Sequence, residues 1–337
     1  MSFVWKRLVG TIPSLVGVVI LTFLLSHALP GDPAAYFAGP AANAESIAEV
    51  RAKLKLDRPL FEQFLYYVGD LFRGDLGTSL TTGQPVLTDL LQRLPASLEL
   101  TGFALIFAVG VAIPMGVWAA TGLDGPVDHL ARVVTTICAA LPTFFVGLLF
   151  VYIFYYLLDI APEPLGRLNE IAYSPPPRVT GAYTIDSLIA GDFEVFRASL
   201  AQLVLPAVSL GLFALAPIAR ITRAAMLEAL GSDYVRTARA GGLRRTKVVF
   251  AYAFRNSLLP ISSVLGMVFS FLLGSNVLIE QVFGWQGVGA YAVSAVVASD
   301  YAAVQGFVLM MALLYVLLNL AVDIFATLID PRVRFEG

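Results

Sequence analysis

One cysteine and two histidines are all that 337 residues offer. Cys138 therefore has no intrachain partner, and it falls in an apolar run where a small core residue is the ordinary role. With only His27 and His129, no HExxH and no paired-cysteine metal spacing can be written, so no metal site is expected. The chain also lacks a Gly-x-Ser-x-Gly elbow and a Gly-x4-Gly-Lys-Ser/Thr phosphate loop. If ATP drives this protein, another chain must bind it. Charge is scarce as well: Asp, Glu, Lys and Arg make up 14% of the sequence, against roughly 25% in soluble domains. A net charge of -2 gives no electrostatic footing for nucleic acid.

What fills the space is hydrocarbon. Mean hydropathy is +0.79, which places the chain among integral membrane proteins. Apolar runs at 8–29, 96–120, 130–158, 200–221, 258–282 and 304–328 are each long enough, at about 1.5 Å per residue, to cross roughly 30 Å of hydrocarbon. The expectation is an all-α, polytopic protein with six transmembrane helices. The first run competes with a signal peptide, since Ser26-His27-Ala28 passes as a cleavage site, but it is longer than a usual signal core. Pro114, Pro142, Pro206 and Pro217 inside the runs are read as tolerated, because neighbouring helices can satisfy freed backbone groups. The apolar stretch 288–298 is too short to span and is expected on the outer surface.

Two long polar regions separate the runs. Residues 30–93 begin with the breaker Pro30-Gly31-Asp32-Pro33 and hold a short charged helix at 45–56. A second helix is capped by Asp57, with Pro59 in its first turn and an apolar stripe of Leu60, Phe61, Phe64, Leu65, Val68, Leu71 and Phe72 that needs a surface to cover. Residues 159–199, with Pro175-Pro176-Pro177, are expected to form an ordered, irregular loop that either seats a delivery protein or packs as a lid over the spans. The coarse division is 1–93, first span plus polar region, and 94–337, a five-helix core with loops at 159–199 and 222–257. Arg220, Arg223, Arg236, Arg239, Arg244, Arg245, Lys247 and Arg255 crowd one segment, whereas 283–301 carries no Lys or Arg. The positive-inside rule then puts 222–257 and both termini in the cytoplasm, with 30–93 and 159–199 outside.

The longest polar interruption of the second half is GSDYVRTARAGGLRRTKVVFAYAFRNSLLP, residues 231–260. It reads as two short helices, the first capped by Ser232 or Asp233 and stopped at Gly241-Gly242, the second with an apolar side at Val248, Val249, Tyr252 and Ala253. A basic cytoplasmic loop of any polytopic protein is the plain alternative. The pattern DYVRTARAGGL followed by RNSLLP resembles the coupling loop of bacterial ABC importer permeases of the dipeptide, oligopeptide and nickel class, a binding-protein-dependent transport family. PGDPA near the first span, GDLGTS at 74–79 and IEQVFGWQGVGAY at 279–291 are similar to segments of the same family. In place of the Glu-Ala-Ala of the wider family stand Arg236, Thr237 and Ala238, and Gln286 stands where proline is expected.

The resemblance implies a type I ABC importer permease fold in the bacterial inner membrane. It implies that Asp233, Tyr234, Arg236, Thr237, Ala238, Arg239, Gly241, Gly242 and Leu243 couple to an ATPase. The implied partners are a second homologous permease, two ATP-binding cassette subunits holding ATP and magnesium, and a periplasmic substrate-binding protein, all in membrane lipid. Few polar groups lie within the spans, and buried carboxylates there normally face a cavity or a partner. Glu99 is one such group near the outer end of the second span. Asn276 and Glu280 are placed near the translocation path, and Arg220 with Asp323 is read as a structural ion pair. A secondary transporter or channel subunit working without an ATPase is the rival function. No internal repeat favours it.

Overall fold

The computed structural model describes residues 2–28, 34, 38–39, 42–53 and 55–329. The chain is built of helices, and among the described residues the extended pairing is a single bridge, Thr78 with Pro85. In chain order the helices are α1 Ser2–Ala28, α2 Ala44–Lys53, α3 Leu60–Phe72, α4 Val86–Thr121, α5 Pro126–Ala140 and α6 Thr143–Leu157. They continue as α7 Tyr183–Ala190, α8 Phe193–Gly231, α9 Asp233–Ala240, α10 Arg245–Val282, α11 Val288–Val297 and α12 Tyr301–Ile329. The expected breaker at 30–33 lies outside the described residues.

The chain divides into two units, Met1–Leu94 with Ala290–Val316 and Pro95–Gly289 with Leu317–Gly337. In the first, α3 begins after Pro59, which takes the N-cap in place of Asp57 and so lies outside the first turn. One edge of α3 packs on α1: Phe64 and Tyr67 meet Phe23, and the Tyr67 and Thr22 hydroxyls are 3.3 Å apart. Most of the apolar stripe stays uncovered, with Leu60, Phe61, Leu65 and Phe72 exposed. The α12 N-terminus is capped by the buried Asp300, which accepts from the Ala303 amide, the Ser79 hydroxyl at 2.6 Å and the Thr81 amide.

The second unit is organised on α4, α8 and α10. Ala96, Leu100, Ala104, Ala108 and Ala112 repeat every four residues and are fully buried with Leu203, Ala207, Leu210 and Ala214 of α8. Small residues let two backbones approach, which in a membrane replaces the hydrophobic driving force that water supplies. At Gly211 an added Cβ would lie 2.7 Å from the Ala104 carbonyl, and at Gly116 it would lie 2.8 Å from that of Ala219. Pro114, Pro206 and Pro217 ride inside unbroken helices, as expected, and Pro260 does the same.

Pro142 does not. The apolar run 130–158 is two helices, α5 and α6, meeting at 99°. Proline disfavours the helical conformation of the residue before it and has no N–H to give. Leu141 accordingly adopts φ -89°, ψ 129°, and Pro142 becomes the N-cap of α6. Among the described residues, four helices are individually long and apolar enough to cross a membrane, and five if the bent pair counts as one.

Candidate functional site

The basic segment is shorter as a loop than its composition implies. α8 runs 39 residues, carrying its helix on to Gly231, and α10 begins at Arg245 and continues without a break to Val282. The expected second short helix is therefore the first turns of a long one, wound as a π-helix over Val248–Phe254. Only α9 stands alone. Ser232 occupies its N-cap in extended backbone, but its hydroxyl donates to the Ala229 carbonyl of α8 instead of accepting from α9. Gly242, at φ +76°, gives the left-handed turn that frees the chain for α10.

α9 has two faces. Val235 and Ala238, three residues apart, are buried on a platform of Val117 and Ala120 from α4, Met226 and Ala229 from α8, and Val248, Val249 and Ala253 from α10. Asp233, Tyr234, Arg236, Thr237 and Arg239 are exposed, with Arg236 and Asp233 paired loosely at 3.2 Å. Gly241 and Gly242 are exposed and Leu243 half-buried. A Cβ on Gly242 would meet nothing within 4 Å, so a side chain there projects away from this chain. Ala238, with Leu243 packed partly against the same cluster, thus differs from the other coupling candidates: its contacts are internal.

The platform is stapled by an ion pair that the sequence reading passed over. Asp128, fully buried at the start of α5, accepts from Arg223 Nε at 2.6 Å and Nη2 at 2.8 Å, and from the Asp124 amide at 3.1 Å. Such two-point geometry is the strong form of the pairing. Arg132 adds a more exposed contact at 3.4 Å. The signal available in sequence was Asp128 in the first turn of a helix that Pro126 opens, with Arg223 one turn beyond Arg220. The proposed partner of Arg220, Asp323, has its side chain outside the described residues.

At the opposite end of α10, Asn276 and Glu280 are buried in this chain, at 2% and 0% exposure. Glu280 Oε1 accepts from the Ser97 hydroxyl at 2.5 Å and from Asn276 Nδ2 at 3.0 Å, and Ser97 Oγ accepts from the Val288 amide. Trp285 donates from its indole to the Ala96 carbonyl and from its amide to the Glu280 carbonyl. Gly287 lies against the Glu280 carboxylate, where any Cβ would collide. The Gly287 amide bonds back to the Trp285 carbonyl across Gln286. A three-residue turn of this kind asks nothing of the central N–H, so glutamine fits where proline was expected.

Glu99 is likewise engaged within the chain. It pairs with Arg167 at 2.8 Å and accepts from the Thr184 amide and hydroxyl, and Arg167 also bonds the Gly181 carbonyl and stacks on Tyr183. The loop 159–199 is thereby pinned to α4. Within it, Asp186 accepts from the amides of Val179, Thr180 and Gly181.

Comparison with known proteins adds an independent line. The model of the binding-protein-dependent transport system inner membrane component family matches residues 112–335, and the model of the N-terminal region of such membrane components matches 1–101. The chain belongs to this family. The permease is 43% identical, over 100% of its length and 98% of the relative's, to the probable D,D-dipeptide transport system permease protein of Escherichia coli (strain K12). It is 40% identical to the di/tripeptide transport system permease protein of Pseudomonas aeruginosa (strain UCBPP-PA14), over 100% of the chain and 99% of the relative. It is 34% identical to a glutathione transport system permease protein of E. coli O6:H1 (strain CFT073 / ATCC 700928 / UPEC), over the full length of both. The fold is accordingly that of a type I ABC permease, and the chain is the membrane permease subunit of an ABC importer.

Proposed function

We propose that this permease moves short peptides or closely related solutes inward, with α9 as the element through which an ATPase drives it. The observation that carries the reading is the two-sidedness of α9. An exposed polar face, Tyr234, Arg236 and Thr237, is mounted on an apolar platform shared by the ends of three long helices. A short helix set into a groove of a partner is a known recognition mode, and here anything that displaces α9 displaces α4, α8 and α10 together. The full-length likeness to di- and tripeptide permeases supports the solute class. ATP and magnesium belong to the partner ATPases in this reading, since the sequence holds no phosphate loop. A second permease and a periplasmic binding protein complete the assembly. Alternating access follows: ATPase closure moves α9, and the connected spans tilt to open the path outward.

The membrane placement is part of the proposal. α5 starts at the Asp128–Arg223 staple near the α9 end of α8, and the chain after α6 returns to the far end of α10, where the Gly166 amide bonds the Phe283 carbonyl. A bent α5–α6 therefore still joins opposite ends of the unit and counts as one crossing. With α1, 27 residues long, the permease has six crossings, α9 and both termini cytoplasmic, and Asn276 and Glu280 at the outer end beside the path. The test is native mass spectrometry of the complex purified through a tag on this chain, followed by dipeptide uptake into proteoliposomes. One copy of this chain with a second permease and two ATPases, and uptake that needs ATP, is the expected result. Uptake driven by an ion gradient without an ATPase would overturn it.

A further inference from the structure

A cleft of about 670 Å³ opens beside α9, between the ends of α4 and α8 and the start of α10. Leu123, Leu227, Leu230, Leu243 and Val248 make its walls apolar. The charged residues among those that line it are Arg239 and Arg245, and no carboxylate is among them. Arg245 Nη2 donates to the Thr121 carbonyl at 2.9 Å, which fixes the guanidinium against the end of α4 and uses one of its five N–H donors. Val248 is shared with the α9 platform, so whatever fills the cleft touches the platform itself.

Two guanidinium groups over leucine walls suit a molecule that is anionic at one end and hydrocarbon beyond it. At the cytoplasmic rim of a membrane that molecule is an acidic phospholipid. We propose that the cleft holds the headgroup of an anionic inner-leaflet lipid, its phosphate at Arg239 and Arg245 and its first acyl carbons along Leu227, Leu230 and Leu243. The proposal rests on the cytoplasmic placement of α9 argued above. A free phosphate makes no use of the leucine walls. A bound lipid sits between the α4–α5 turn and α9, where it braces the platform that α9 stands on.

The test is native mass spectrometry of the full complex, with phosphatidylglycerol or phosphatidylcholine supplied during purification and lipid counted on the permease ion itself. The wild type and an Arg197→Gln control, exposed at the other end of α8, are expected to retain phosphatidylglycerol over phosphatidylcholine. An Arg239→Gln, Arg245→Gln double variant is expected to lower that occupancy at least about tenfold, with each single variant between. Equal retention by the double variant, equal retention of the zwitterionic lipid, or displacement by millimolar inorganic phosphate would each overturn the proposal. If the double variant does not assemble, the single variants give the same reading. Absence of ATPase subunits from every spectrum would count against the functional reading, while the lipid count on the permease still decides the cleft.

Discussion

Three residues carry more of the behaviour than their size implies. Asp128 is fully buried, and Arg223 is a quarter exposed. Removing one partner of a buried pair leaves the other charge uncompensated, at a cost of about 3 kcal/mol. Asp128→Asn should therefore lower the thermal unfolding midpoint of the purified permease markedly, whereas Arg132→Gln, whose side chain is half exposed and 3.4 Å or more from the carboxylates it faces, should move it little. Equal shifts would remove the staple role. Gly242 works through its backbone. With φ at +76° and open space around its Cβ, Gly242→Ala pays only conformational strain, about 1 kcal/mol, while Gly242→Trp adds bulk that points away from this chain. We expect the alanine variant to keep coupled uptake and the tryptophan variant to hydrolyse ATP without it. If the tryptophan variant still transports normally, the turn after α9 does not touch an ATPase.

Elements show where sequence reading works and where it stops. The faces of α9 separate a folding effect from a docking effect. Ala238→Asp buries a carboxylate among Met226, Val248 and Ala253, so it should destabilise the permease on its own; Thr237→Asp, on the exposed face, should leave the unfolding midpoint unchanged and reduce ATPase retention. A Thr237→Asp complex that retains its ATPases fully would refute the assignment of that face. The loop 159–199 has its own pH signature. Burial works against a charge on Asp186, but the Thr180 amide and hydroxyl and the amides of Gly181 and Val179 outweigh it and hold its pKa below the ordinary value. A carboxyl with a depressed folded-state pKa gives its full stabilisation above the unfolded range of about 4, and the contribution is lost as pH falls through the lower folded value. Amide exchange at Thr180 and Gly181, corrected for intrinsic rate, should stay slow at neutral pH and quicken below pH 4, and Asp186→Asn should be quick at both. Both the helical class and the location of α9 were legible, because apolar run length and a glycine pair after a capped polar helix are local signals. Neither the break at Pro142 nor the buried setting of Glu280 could be read. Whether a membrane proline bends or breaks its helix depends on which neighbours satisfy the freed carbonyls. Ser97 and Glu280 are 183 residues apart and meet only once α4 and α10 pack.

For the whole molecule, the arrangement makes one sharp demand on topology. Ile171, 95% exposed in the loop that Glu99 and Arg167 pin to α4, and Arg236, exposed on α9, are separated by the single long apolar helix α8. The proposed topology puts them on opposite sides of the membrane. Asp124 is tied through Asp128 to Arg223 near the α9 end of α8, so it belongs on the side of Arg236 even though a sharply bent pair, α5 and α6, separates it from Ile171. The sole native cysteine makes the measurement simple: in a Cys138→Ser background, single cysteines at the three positions can be labelled with a membrane-impermeant maleimide in spheroplasts and in inverted vesicles. Ile171→Cys is expected to react only in spheroplasts, Asp124→Cys and Arg236→Cys only in inverted vesicles. Labelling of Asp124→Cys together with Ile171→Cys would make α5–α6 a re-entrant hairpin and reduce the crossings by one, reversing the sides assigned to everything before it. Labelling of Arg236→Cys from outside would do more: it would take α9 away from any cytoplasmic ATPase, and with it the mechanism built on its exposed face.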